Sequence, residues 1–257
     1  MICKLCKKPS KLCNSHAIPD NVFKHIFRKN SGKAIEITDT FDKPIRYSKD
    51  SWATPQLCEI CERKLNETYE RYSLDVLKGT YGGFKRLEGS LYFEKLDTIK
   101  IRQFIAAIIW RASISKHPSY DAVSLTDKLN ETLRFSLNTS RQVPKKAFSL
   151  RGFKLVDSVD GGISREDLRE FMMTPFKRRC LDSNNKRSES ICFIFLGYMF
   201  EVYISSCPKD STYFPDFIGY NKTSYEFKNV EVTKVPEVFE LMLHTYGKNK
   251  DGITTLV

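Results

Sequence analysis

Apolar positions divide the chain into segments of distinct period. Ile18, Val22, Phe23, Ile26 and Phe27 recur at helical spacing behind Pro19-Asp20, which predicts a short helix opening there. Residues 34–39 alternate like a strand, with residues 45–48 as the expected partner. Leu65, Tyr69, Tyr72 and Val76 form one apolar stripe of a helix that Gly79 should end. The run Gly79-Thr80-Tyr81-Gly82-Gly83 is the best boundary signal and divides the chain into residues 1–80 and 81–257.

Beyond that boundary, residues 98–116 are apolar on nearly every face and predict a buried central helix stopped by Pro118. Residues 125–137 read as an amphipathic helix, 147–159 as extended, and 164–173 as a helix with Ser164 as its cap. Residues 191–206 are β-branched and aromatic but broken at Gly197, so they predict two strands or one bent strand. A last helix is expected over 236–246, with Pro236 in its first turn. Helices and strands do not alternate regularly, so the fold class is α+β, with a second part expected to be largely helical and to carry a few strands.

A content of 41% hydrophobic and 12% aromatic residues over 257 positions supports a real core rather than disorder. The N-terminus has no apolar leader, and the apolar runs at 104–110 and 191–200 are too short to span a bilayer. A soluble, cytoplasmic protein with no membrane contact is expected. The net charge of +11 favours a polyanion as partner, most plausibly nucleic acid. Lys177-Arg178-Arg179 and Lys186-Arg187 bracket a polar loop over 181–185, which reads either as a solvated surface or as a phosphate contact.

Eight cysteines in a chain expected to be cytosolic point to metal rather than disulfides. Cys3, Cys6, Cys58 and Cys61 form two C-x-x-C knuckles, the closed four-thiolate set of a structural zinc ion. Cys13, Cys180, Cys192 and Cys207 have no ligand spacing, and Cys192 reads as a buried packing thiol. Knuckle, strands, second knuckle and helix follow one another in the order of a treble clef.

The two knuckles frame Ser15-His16-Ala17-Ile18-Pro19, and Leu57-Cys58-Glu59-Ile60-Cys61-Glu62 opens the second helix. Over about the first 70 residues this arrangement resembles the zinc treble-clef branch of the HNH, or His-Me finger, endonucleases, with a degenerate motif. The knuckles and a Trp110-Arg111-Ala112 run are also similar to bacterial HNH-like proteins found near phage-defence genes. The resemblance implies that His16 is the general base for an attacking water and that Glu62 is a ligand of a catalytic Mg²⁺ or Mn²⁺. The chain departs from the motif at Ser15, where the family has aspartate, in lacking the asparagine before the second knuckle, and at Glu62 in place of histidine.

Without the resemblance, His16 reads as a packing residue of the knuckle and Glu62 as a first-turn acid offsetting a helix dipole. Arg111 on a buried helix calls for a salt bridge to a nearby acid. His25, His117 and His244 read as surface or packing residues. The preferred expectation is a metal-dependent DNA nuclease, acting as effector or subunit of a bacterial anti-phage defence complex with a protein partner. The alternative is a non-catalytic, zinc-stabilised module that binds nucleic acid or protein within such a complex.

Overall fold

Helix α4 (Thr98–Ser113) is the axis of the molecule: every residue from Ile101 to Ala112 is buried, as its all-round apolar sequence requires. This is a computed structural model, and it describes residues 1–38, 43–81, 83–181, 187–205, 216–220 and 222–256. Residues 182–186 of the polar loop, and Cys207, lie outside the described residues.

On one side of α4 sits the cysteine-bearing part. It contains β1 (Cys13–Ser15), α1 (Asp20–Lys29), a hairpin of β2 (Ala34–Glu36) and β3 (Arg46–Ser48), and β4 (Thr54–Leu57). A long helical stretch follows: α2 (Glu59–Leu65), a π-helical turn (Asn66–Glu70) and α3 (Arg71–Lys78). Gly79 ends it in the left-handed conformation (φ 73°) that a side chain would make costly. The hairpin, the helix after Pro19 and the Gly79 stop all match the sequence expectations.

On the other side of α4 lies a seven-stranded sheet of β5 (Phe84–Leu87), β6 (Ser90–Phe93), β7 (Ser149–Val156), β8 (Met173–Leu181), β9 (Arg187–Phe195), β10 (Tyr198–Ser205) and β11 (Tyr225–Glu231). Their order is β5-β6-β11-β7-β10-β9-β8, antiparallel except for the β11–β7 pair. The second part is therefore mixed α+β around a large sheet, which corrects the expectation of a largely helical domain with a few strands. The physical reason is that β5, β6, β8 and β11 are short or basic segments completed by cross-strand pairing, which leaves little local signature.

The break at Gly197 makes two strands. Leu196 (φ 53°) and Gly197 (φ 71°) form the two-residue turn between β9 and β10, and positive φ at both suits the right-handed twist of a hairpin. The strands alternate between the two faces of the sheet. Ile191, Phe193, Phe195, Phe200 and Val202 join the core around α4, with Phe104 edge-on to Phe195 at 6.3 Å. Ile194 and Met199 face a second, smaller cluster that includes Leu168 of α6 (Arg165–Glu170) and Val238 of α7 (Pro236–Lys250). Helix α5 (Asp127–Thr139) packs on α4.

The main core runs without interruption from Cys3 and Phe23 through α4 to Phe227. The boundary near residue 80 thus separates two parts in sequence that share one core. Among the described residues, no helix is long and apolar enough to cross a membrane.

Candidate metal centre and the buried ion cluster beside it

The two knuckles converge because β1 pairs antiparallel with β4, bringing Cys13 opposite Leu57 and leaving Cys58 at the end of β4. Ser15 holds this pair from within: it is fully buried, and its Oγ accepts the Leu57 N–H at 3.1 Å. Cys3, Cys6, Cys58 and Cys61 then offer four sulfurs all within 4.8 Å of one another, with no disulfide. Tetrahedral zinc with bonds of about 2.3 Å places its sulfurs about 3.8 Å apart. The Cys6 and Cys58 sulfurs lie 4.0 Å apart, and the Cys58 N–H donates to Cys3 Sγ at 3.3 Å, as thiolate ligands need. Burial pushes the Cys3 thiol up, but the backbone N–H groups of Cys6, Cys58 and Leu5 overcome this and bring it to about 7. The cluster is compatible with a zinc site; among the described residues it is the one group of three or more ligands placed to hold a metal.

His16 follows β1 and lies against an aromatic cluster. Its ring is 5.8 Å from Phe23, which packs on Trp52, and Trp52 meets both Tyr120 and His117. Trp52 takes a left-handed backbone (φ 56°), at a cost of roughly 1–2 kcal/mol. The turn is held by Asp50 Oδ1, which accepts the Trp52 N–H at 2.8 Å. It presents Ser51 Oγ to His16 Nε2 at 3.0 Å, while Asp20 Oδ1 approaches the same nitrogen at 3.7 Å. In a catalytic relay the carboxylate must hold the opposite ring nitrogen, so Ser51, His16 and Asp20 are not a triad.

Glu62 and Arg111 meet at the core. Arg111 is 1% exposed; its Nη2 donates to Glu70 Oε1, its Nε donates to Ala107 O at 3.3 Å, and its Nη1 lies 3.9 Å from Glu62 Oε2. Glu70 reaches inward because the π turn adds a residue to the helical register, so that Tyr69 and Glu70 are both buried. Burial holds the Glu62 carboxyl above its ordinary range, against the opposing pull of Arg111. Ser15 also lowers it, and among the described residues Glu62 Oε1 itself is buried with no partner at hydrogen-bond distance.

The salt bridge expected of Arg111 is therefore present, with Glu70 as its main partner. Glu59 and Glu67, the other acids of this helical stretch that a second metal beside Glu62 would call on, are exposed, and Asp50 pairs with His117 Nε2 at 2.9 Å. The sequence reading missed Glu70, Asp20 and Ser51. Asp20 had a signal in its position four residues after His16, whereas Glu70 had only the demand of Arg111 for an acid.

The basic triplet Lys177, Arg178 and Arg179 lies on strand β8, which leads into the polar loop that the triplet was expected to flank. A strand edge paired to β9 holds these side chains in register, and each has an internal partner. Arg178 grips Glu237 with two hydrogen bonds of 2.9 and 2.6 Å, Arg179 pairs with Glu189 at 3.2 Å, and Lys177 donates to Ser124 at 2.8 Å. Cys192 is fully buried, and burial pushes its thiol up.

Compared with family models, with curated proteins and with solved structures, the chain matches none.

Burial first, and Arg111 second, lower the His16 imidazole below its ordinary 6.5, against the pull of Asp20. The unfolded imidazole then binds its proton at a higher pH than the folded one. Stability should fall as the pH drops through 6.5, and this part of the loss should vanish in His16→Gln. An NMR titration of the His16 ring tests it; a midpoint at or above 6.5 contradicts the burial argument.

Proposed function

We propose that this chain is a zinc-stabilised nucleic-acid-binding module built on a degenerate HNH-like treble clef and, on the resemblance, a subunit of a defence complex. The observation that carries this reading over a metal-dependent nuclease is Arg111. Its buried guanidinium already neutralises Glu70 and lies beside Glu62, where the resemblance puts a catalytic cation. Mg²⁺ prefers octahedral oxygen and gives up its waters reluctantly, so it competes poorly with a guanidinium built into the core.

Nucleic acid is favoured by the net charge of +11 and by the first knuckle, whose Lys4, Lys7, Lys8 and Lys11 are all exposed. None of the four forms an ion pair among the described residues. The triplet on β8 contributes less, because two of its three charges, Arg178 and Arg179, are matched by Glu237 and Glu189.

The second reading, hydrolysis with His16 as base, has one observation in its favour: a neutral imidazole whose side chain keeps 17% of its exposure beside Asp20.

Fluorescence anisotropy on a labelled DNA duplex, run from low to moderate salt, separates the two when paired with a plasmid-cleavage assay in Mg²⁺ or Mn²⁺. Replacing the four knuckle lysines by Gln should weaken binding at least tenfold and flatten the salt slope by about 0.9 for each lysine that contacts phosphate. The plasmid should stay intact, and His16→Ala should bind as the wild type does. Cleavage that His16→Ala abolishes would establish the second reading instead. Failure to bind the duplex at low salt would sink the first.

A further inference from the structure

A cavity of about 270 Å³, remote in sequence from the knuckles, opens between the end of α3, the β5–β6 hairpin, β7 and α6. Besides Lys78 at the end of α3, its walls carry Arg86 from β5, Lys154 from β7, and Arg165 and Arg169 from α6, against one carboxylate, Glu166. None of these four cations forms an ion pair among the described residues. Elsewhere in the molecule, half-buried arginines are matched, as in Arg151–Glu201 and Arg178–Glu237.

Lys154 and Arg169 converge over the β9–β10 turn. A Cβ placed on Gly197 would fall 2.6 Å from Lys154 Nζ and 3.6 Å from Arg169 Cγ. The Lys154 ammonium donates to Gly197 O at 2.9 Å and lies 4.3 Å from the centre of the Tyr198 ring, while Arg169 Nη2 donates to Lys78 O. Ser90, in the same wall, is buried, and its hydroxyl has no hydrogen-bond partner among the described residues. Phe84, Leu91 and Phe93 give the β5–β6 side an apolar and aromatic wall, with Phe84 and Leu91 half-buried, and Asn229 adds a polar amide.

Four like charges around one cavity repel one another, and collecting them there costs stability unless an anion shares the space. A lone carboxylate ligand would neutralise one of them, whereas a phosphate or diphosphate carries charge enough for several and accepts hydrogen bonds from guanidinium forks. The apolar and aromatic wall suits a flat organic body attached to that anion. We propose that this cavity binds a small phosphate-bearing ligand of nucleotide size, with Arg86, Lys154, Arg165 and Arg169 on the phosphates and the Phe84 side against the base.

Burial, followed by the charges of Arg169, Arg165 and Arg86, brings the Lys154 ammonium down to about 8. A bound phosphate would restore it, so binding above pH 8 should take up a proton.

The test is isothermal titration of the full chain with ADP and with adenosine at low ionic strength. ADP should bind and adenosine should bind at least tenfold more weakly. Arg86→Gln and Arg165→Gln, both at exposed positions where the change leaves the core untouched, should each weaken ADP at least tenfold. At pH 8.5 the binding enthalpy should vary with the ionisation heat of the buffer in the direction of proton uptake. No heat from ADP at millimolar concentration overturns the proposal, as does ADP binding that both variants leave unchanged or that adenosine equals. Duplex DNA binding by the same two variants should match the wild type, which keeps this site separate from the knuckle lysines.

Discussion

Cys58→Ser should abolish metal binding and take down much more than the knuckles. Structural zinc contributes on the order of 10 kcal/mol to the folding of small zinc peptides, as much as the whole stability of a typical domain, about 5–15 kcal/mol. Here Cys3, Cys58 and Cys61 belong to the same core as Phe104 and Trp110 of α4 and Phe227 of the sheet. Loss of the metal therefore removes a wall from that core as well as a cross-link over residues 3 to 61. A drop in melting temperature of roughly 20 °C or more is expected, at about 2–4 °C per kcal/mol for a chain of this size. Native mass spectrometry should find one zinc per wild-type chain and none in the variant. A variant that holds no zinc and melts with the wild type would show that the four thiols are not a structural metal site.

Arg111→Met should cost about 3–5 kcal/mol, the range for breaking a buried ion pair by removing one partner. The loss is large because Glu70, 7% exposed, would be left buried without its cation. Adding Glu70→Gln should restore much of it, because a neutral amide is far cheaper to bury than a carboxylate. The coupling energy from denaturation of the two single variants and the double variant measures the pair. Arg111→Lys should fall between, since an ammonium keeps the charge but loses the fork that reaches Glu70 and Ala107 O together. A cost below about 1 kcal/mol for Arg111→Met would mean that the pair is solvated and that Arg111 does not bar a second metal from Glu62. Mg²⁺ should leave the wild-type melting curve unmoved for the same reason.

The elements legible in the sequence were those with a strong local period. Helix α4 declared itself by apolar residues on every face, α5 and α6 by amphipathic spacing and a serine cap, and the β9–β10 hairpin by Gly197 between two β-branched and aromatic runs. Strand β8 did not, because Lys177, Arg178 and Arg179 read as a solvated charge run until their partners Ser124, Glu237 and Glu189 are in place. The β5–β6 hairpin was hidden for a related reason: its pairing with β11 spans more than a hundred residues and has no local sign.

The sequence by itself determined the four-thiol ligand set and the place of His16 between its halves. A C-x-x-C turn brings two sulfurs to one point whatever surrounds it, so each half of the set is legible locally, while the β1–β4 pairing brings the halves together. What Glu62 faces was decided only by the tertiary structure. Arg111 and Glu70 are 41 residues apart, and they meet because α4 is buried against the π turn that swings Glu70 inward. In the low-dielectric core a guanidinium must be compensated, and the inward turn of Glu70 supplies the carboxylate here. That requirement, rather than any motif, set the cation beside Glu62.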